Sequence, residues 1–396
     1  MKGIQYAFLA GIIIVVLIIL AVFGFLQPVA GLDLLSLLGL KLPTQPGSDG
    51  TTIVSQDPWT DINGNGKPDI VVSLSGGQKT IAWVFGADLG LDGNALRWSN
   101  KKSTAFSTKD NSEGAGVALA DINGDRISDL VLMRIEDSGL GVNDFIKYKV
   151  CFKINSILNG DVGQCTADVP ADESRKVGLC SNDGGITVRD INGNGKPDII
   201  LMALDSGPGG CGVGSNQDHW WYYIGFDLNP NNGVPDSGWF PTRVEISSIS
   251  PGDTSRGAGV DLYDLDGNGK FDIILTSLDV KFGSPDIVTF RWIVGKDLNP
   301  STGTPVSWSP LRIGSALPID GQKLSGGGAT IRDINGDNKP DIIFLAMTSD
   351  GIKYQIGLNL DINGNVASWL PSPSTLISPT TQLTSTAGTT PGAGLG

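Results

Sequence analysis

Histidine occurs once and cysteine four times in these 396 residues, and each scarcity removes a class of chemistry. A lone imidazole, His219, rules out catalytic triads that need several histidines and His-rich zinc centres. It reads most simply as a loop residue at the start of a strand. Basic residues are few as well: 28 Lys and Arg stand against 41 Asp and Glu, for a formal charge of −13. Nucleic-acid binding needs clustered Lys and Arg, so no nucleic-acid partner is expected. The chain has no Asn-x-Ser/Thr sequon, and N-glycosylation of that type is not expected either.

Much of the acidity sits in one recurring nine-residue phrase. The five copies are Asp61-Ile-Asn63-Gly-Asn65-Gly-Lys67-Pro-Asp69, Asp121-Ile-Asn123-Gly-Asp125-Arg-Ile127-Ser-Asp129, Asp190-Ile-Asn192-Gly-Asn194-Gly-Lys196-Pro-Asp198, Asp264-Leu-Asp266-Gly-Asn268-Gly-Lys270-Phe-Asp272 and Asp333-Ile-Asn335-Gly-Asp337-Asn-Lys339-Pro-Asp341. Calcium takes six to eight oxygen ligands, and positions 1, 3 and 5 of a tight loop can aim three side-chain oxygens at one centre. Position 7 (Lys67, Ile127, Lys196, Lys270, Lys339) offers its backbone carbonyl, and the Asp at position 9 closes the ring. Asp, Asn and Gly are also ordinary turn formers, so metal-free hairpins are the competing reading. Aspartate at both position 1 and position 9 in all five copies favours about five bound Ca²⁺, which would offset most of the net charge.

The flanks are strands. Val117-Ala-Leu-Ala before the second loop and Leu130-Val-Leu-Met after it are short apolar runs. The loops begin at 61, 121, 190, 264 and 333, a period too long for a helical solenoid and suited to four-stranded propeller blades. A Gly-rich strand opens the unit in Gly114-Ala-Gly116, Gly184-Gly185, Gly257-Ala-Gly259 and Gly326-Gly-Gly328. A third strand ends in aromatic-x-x-Gly, as in Trp83 to Gly86, Tyr222 to Gly225, Trp292 to Gly295 and Tyr354 to Gly357. A turn such as Asp227-Leu or Asp297-Leu leads to a fourth strand carrying Trp98, Trp239, Trp308 or Trp369. Recurring aromatics point to packing between blades; Trp59, Trp220 and Trp221 lie outside the pattern and are freer to bind a ligand. A near-copy, Asp361-Ile-Asn363-Gly-Asn365, has Trp369 in place of the closing Asp and is read as the last blade's turn, without metal.

These units resemble the FG-GAP or VCBS repeats of integrin-α-like β-propellers over residues 51–378. The resemblance implies an all-β propeller with calcium held structurally on one face and ligands met on the opposite face. Integrin-type rings have seven blades, whereas five units are present here. The turns between second and third strands, including Glu136 to Asp144, Asp205 to His219 and Asp279 to Asp286, vary most and form the expected recognition surface.

Residues 1–28 hold an uncharged apolar run long enough to span a bilayer as a signal-anchor helix, with the propeller outside. Lys2-Gly3 before that run also resembles the leader of type IV pilin-like proteins, which would place the helix in a filament core. Residues 29–50 form a stalk or linker, and 379–396 read as a disordered Ser/Thr/Pro/Gly tail. An exported protein can oxidise its cysteines; of three pairings, alignment of the units favours Cys151 with Cys165 and Cys180 with Cys211, with a zinc site as the rival.

The resulting expectation is a cell-surface, calcium-stabilised propeller that binds a protein or glycan ligand, with no catalytic residues. A homopolymeric pilin-like filament subunit and a secreted polysaccharide-active enzyme using a carboxylate pair are the alternatives.

Overall fold

The structure is a computed structural model that describes residues 61–370, apart from the short loops 76–78, 91–94, 108–112, 137–143, 172–182, 207–217, 241–242, 247, 253–254, 282–286, 319–323 and 349–350, together with 375–376 and 393–395. The chain divides into Met1–Thr51 and Thr52–Gly396, and all described residues belong to the second unit. The expected N-terminal helix, the linker, Trp59, Cys180 and Cys211 lie outside the described residues. Among the described residues there are only strands, and no helix is long and apolar enough to cross a membrane.

The strands form five antiparallel blades. The second strand of each blade is covered on both faces, so it reads as a near-continuous apolar run; Asp129–Glu136 is buried at every position but its last. From the innermost strand outwards, blade 2 pairs Glu113–Ala120, Asp129–Glu136, Phe145–Cys151 and Val169–Pro170. Blade 3 uses Asp183–Arg189, Asp198–Ser206, Asp218–Gly225 and Val244–Ile246, and blade 4 uses Ser255–Tyr263, Asp272–Lys281, Ile287–Leu298 and Pro305–Trp308. Blade 5 uses Leu324–Arg332, Asp341–Thr348, Gly351–Leu360 and Val366–Trp369. Five apolar clusters lie between neighbouring blades, one at each junction.

Blade 1 is assembled from both ends of the repeat region. Ile70–Ser75, Thr80–Leu89 and Ala95–Trp98 supply three strands, and Ala393–Leu395 supplies the innermost one. Gly394 pairs with Ser73 in the register that Gly116 keeps with Met133 and Gly259 with Thr276, each four residues after a closing aspartate. Ala393–Leu395 therefore sits between the innermost strands of blades 5 and 2 and closes the ring. At these three residues the expectation of a disordered tail fails: Ala-Gly-Leu matches the inner-strand pattern Ala-Gly-Val, and its backbone groups find partners on Ile70–Ser75.

The inner strands approach backbone to backbone at the axis. A Cβ on Gly259 would lie 2.6 Å from the amide nitrogen of Ala329 in the next blade, which is why the strand openings are Gly-rich. At the periphery, the recurring aromatics of blades 1 to 4 join each to the next blade by a hydrogen bond to a turn glycine. Trp83 Nε1 donates to the Gly160 carbonyl (3.1 Å), Tyr148 Oη to Gly233 (2.8 Å), Tyr222 Oη to Gly303 (2.7 Å) and Trp292 Nε1 to Gly364 (3.0 Å). Such buried bonds each stabilise by about 1 kcal/mol. The near-copy at 361–365 is the turn that supplies Gly364, as its missing closing aspartate suggested.

The glycine of aromatic-x-x-Gly faces the fourth-strand tryptophan: Gly86 opposite Trp98, Gly225 opposite Trp239, Gly295 opposite Trp308 and Gly357 opposite Trp369. A Cβ on Gly295 would come within 2.7 Å of the Trp308 ring. Blade 2 replaces that glycine–tryptophan pair with cysteines at the same two places, and Cys151 and Cys165 form a disulfide.

A polar cluster interrupts the apolar interior between blades 3, 4 and 5. Asp261, 5 % exposed on the inner strand of blade 4, accepts hydrogen bonds from Thr187 Oγ1 (3.1 Å) and Arg189 (3.4 Å) of blade 3. From blade 5 it accepts Thr330 Oγ1 (2.9 Å), the Ile331 amide (2.9 Å) and Arg332 (3.0 Å). Burial alone would raise its pKa; Arg332 and Arg189, with the Ile331 and Leu262 amides, reverse that and hold the carboxyl below the usual range. Asp261→Ala removes the buried carboxylate that faces two arginines and is expected to cost about 3–5 kcal/mol in denaturant unfolding. A loss under about 1 kcal/mol would show that the clasp is solvated and contributes little.

Candidate metal centres

Each nine-residue loop is a hairpin between the first and second strands of its blade, except that in blade 1 the first strand comes from Ala393–Leu395. All five copies fold through the same side-chain to backbone bonds. The position 1 carboxylate accepts the amides of positions 5 and 6: Asp61 takes Asn65 (2.9 Å) and Gly66 (2.6 Å), and Asp264 takes Asn268 (3.0 Å) and Gly269 (2.8 Å). Position 3 accepts the amide of position 5, as Asn123 Oδ1 does from Asp125 (2.9 Å). Position 5 accepts the amide of position 7, as Asp337 Oδ1 does from Lys339 (2.9 Å). These are Asx turns, the local preference of Asp and Asn side chains, and they bring the oxygens of positions 1, 3 and 5 into one turn. Arg126 and Asn338 occupy position 6 at positive φ (65° and 62°), where the other copies have glycine.

The closing aspartates differ from the rest in being buried. Asp129, Asp198, Asp272 and Asp341 are 0 % exposed and Asp69 3 %. One oxygen accepts the amide of position 2, from Ile62 (2.8 Å) in the first loop to Ile334 (3.0 Å) in the last. The other accepts an amide from the turn between the third and fourth strands: Asp88 to Asp69 (2.8 Å), Lys153 to Asp129 (2.6 Å), Asp227 to Asp198 (2.8 Å), Asp297 to Asp272 (2.8 Å) and Asn359 to Asp341 (2.8 Å). Position 9 thus ties the two hairpins of a blade together. Burial pushes Asp69, Asp129, Asp198 and Asp272 up to about 6 despite those amides, and raises Asp341 in the same direction. Neighbouring loop aspartates add to the rise, Asp61 for Asp69 and Asp125 and Asp121 for Asp129.

The donor set suits a hard cation. Positions 1, 3, 5 and 9 offer only carboxylate and amide oxygens, and an oxygen that already accepts one amide keeps a second lone pair. In loop 4 the carboxylate oxygens of Asp264, Asp266 and Asp272 lie within 4.8 Å of one another. Among the described residues the three carboxylates of loop 2 (Asp121, Asp125, Asp129) and of loop 5 (Asp333, Asp337, Asp341) do not come together in this way.

Two groups were not visible in the sequence. The turn residues 88, 153, 227, 297 and 359 contact the loops through positive-φ backbone, a signal that spacing alone does not give. Asp261 draws on Arg189 and Arg332, each immediately before a loop, where the other loops follow alanine, threonine or tyrosine. The tryptophans expected to be freest are not free: Trp220 is 0 % and Trp221 1 % exposed, because both sit on the inter-blade strand Asp218–Gly225. Trp220 Nε1 donates to the Thr276 carbonyl (3.3 Å), so it is no stacking partner for a ligand beside His219.

A search of curated proteins gives no match to this chain. Residues 61–132 match the family model described as an FG-GAP-like repeat, a span from the first loop through blade 1 into the second loop and the strand after it. The same strand order and loop bonding recur through all five blades, so the described residues form a five-bladed β-propeller that contains an FG-GAP-like repeat.

Proposed function

We propose that the five loops hold calcium and that the propeller is a non-catalytic binding module displayed outside the cell. The observation that carries the reading is the closing carboxylate, buried in all five blades among further oxygens and raised in pKa, which a divalent cation would neutralise. Residues at positions 1, 3, 5 and 9, with the carbonyl of position 7, would hold the ion. When bound it would supply positive charge beside the closing aspartate, whose own bonds tie the loop to the turn.

The antiparallel strand order puts the turns between second and third strands at the opposite ends of the blades from the loops. We assign ligand recognition, of a protein or a glycan, to that side. Much of each of these turns lies outside the described residues. The apolar run within 1–28 supports membrane anchoring, and Lys2-Gly3 before it supports a filament subunit as the second reading.

Labelling intact cells with a membrane-impermeant amine reagent tests display. Exposed propeller lysines such as Lys101 and Lys67 are expected to react before lysis, and labelling only after lysis sinks the proposal. The native N-terminus separates the two forms of display: Met1 supports the anchor, Ile4 the filament.

A further inference from the structure

The turn between third and fourth strands carries a different residue in each class of loop, and the difference follows position 5. Where position 5 is asparagine (Asn65, Asn194, Asn268), the turn presents an aspartate (Asp88, Asp227, Asp297). Asn65 Nδ2 donates to Asp88 Oδ1, Asn194 Nδ2 to Asp227 Oδ1 (2.5 Å) and Asn268 Nδ2 to Asp297 Oδ1 (2.7 Å). Where position 5 is aspartate (Asp125, Asp337), the turn residue is Lys153 or Asn359. All five turn residues keep positive φ, between 49° and 63°, and all five give their amide to the closing aspartate. The backbone role is constant and only the side chain changes.

An amide, unlike a carboxylate, has a wrong way round. If the position 5 asparagine turned over, its NH₂ would face the loop and its oxygen would be lost as a ligand. In the three asparagine loops the amide is fixed from both ends: its oxygen accepts the amide of Lys67 (2.9 Å), Lys196 (2.8 Å) or Lys270 (2.9 Å), while its nitrogen is taken by the turn aspartate. A position 5 carboxylate needs no such orientation, and an aspartate opposite it would repel. The exchange also holds the local charge. Asp61, Asp69 and Asp88 gather three carboxylates around loop 1, as Asp121, Asp125 and Asp129 do in loop 2; loop 4 gains a fourth through Asp266.

We infer that Asp88, Asp227 and Asp297 are positioning residues that orient the asparagine oxygen of position 5 toward the cation and supply the charge it lacks, so that each centre is built from two hairpins. The inference rests on the calcium reading above. Its test is calorimetric titration of the full chain in detergent with calcium chloride, comparing the parent, the D88N/D227N/D297N variant and that variant with N65D/N194D/N268D added.

The triple variant is expected to weaken three centres by about 10–100-fold, the usual effect of losing an outer-shell partner, and to leave two unchanged. The six-fold variant is expected to regain them, a rescue that a purely structural role of the turn would not produce. A triple variant that titrates like the parent, or a six-fold variant no better than the triple, overturns the inference. A parent that takes up no calcium overturns the reading beneath it instead. Should the triple variant lose its strand circular-dichroism signal, the reciprocal pair decides: Asp125→Asn weakens loop 2, and Lys153→Asp in that background restores it. Absence of restoration overturns the inference equally.

Discussion

Excess EDTA is expected to lower the melting temperature of the full chain by on the order of 20 °C relative to millimolar-range calcium. A site that binds only the folded state contributes about 2.7 kcal/mol when the ion is at a hundred times its dissociation constant. Five independent sites then contribute on the order of 13 kcal/mol. Spread over the unfolding entropy of a unit the size of Thr52–Gly396, that is the expected shift. The loops are not incidental to the fold: each closing aspartate bonds both its own loop and the turn between third and fourth strands, so on the cation reading removal of the ion leaves a buried carboxylate at the joint of two hairpins. Differential scanning calorimetry with and without chelator checks it. Equal midpoints would falsify the cation reading and leave the loops as hairpins held by their own Asx bonds.

Why the loops and blades could be read from the sequence while the closure could not is a matter of what repeats. The nine-residue phrase fixes its own geometry through bonds between residues at most seven apart, so five copies announce five hairpins. The aromatic-x-x-Gly pattern is likewise local, and its partner tryptophan lies one turn further on; even its replacement by Cys151 and Cys165 is visible once the units are aligned. The innermost strand of blade 1 has no such neighbour. Gly392-Ala-Gly394-Leu395 repeats the strand opening Gly114-Ala-Gly116-Val117, but it stands in a Ser/Thr/Pro/Gly stretch whose composition argues for disorder. Only pairing with Ile70–Ser75, more than three hundred residues earlier, gives it structure. Trp220 and Trp221 are buried against the sequence expectation for the opposite reason: they fall beside the repeated aromatic Tyr222, and strand alternation buries both faces of a strand caught between two blades. Asp261 belongs to no repeat, and its arginines come from two other blades.

Acid is expected to stabilise the chelated protein and destabilise the loaded one. The carboxyls of Asp69, Asp129, Asp198 and Asp272 stand at about 6 in the folded chain, against an ordinary value of 3.8, because burial disfavours their charge; Asp341 is raised in the same direction. Between those two values the folded state binds more protons than the unfolded chain. The contribution of these groups is therefore full below the ordinary carboxylate range and is lost as pH rises through about 6. Taking the EDTA-treated protein from about pH 7.5 to about pH 5 should add roughly 1 kcal/mol for each of Asp69, Asp129, Asp198 and Asp272, on the order of 4 kcal/mol for the four, with Asp341 acting in the same direction. Asp261 does not oppose this change, because a depressed carboxyl loses its contribution only when pH falls through its own lowered value. With calcium present the same step works the other way: the ion needs the carboxylates deprotonated, protons compete for them, and stability falls. Melting curves at the two pH values, with and without chelator, should therefore have slopes of opposite sign. Parallel slopes would mean that the closing aspartates do not meet the ion at all, and that their burial serves only the joint between hairpins.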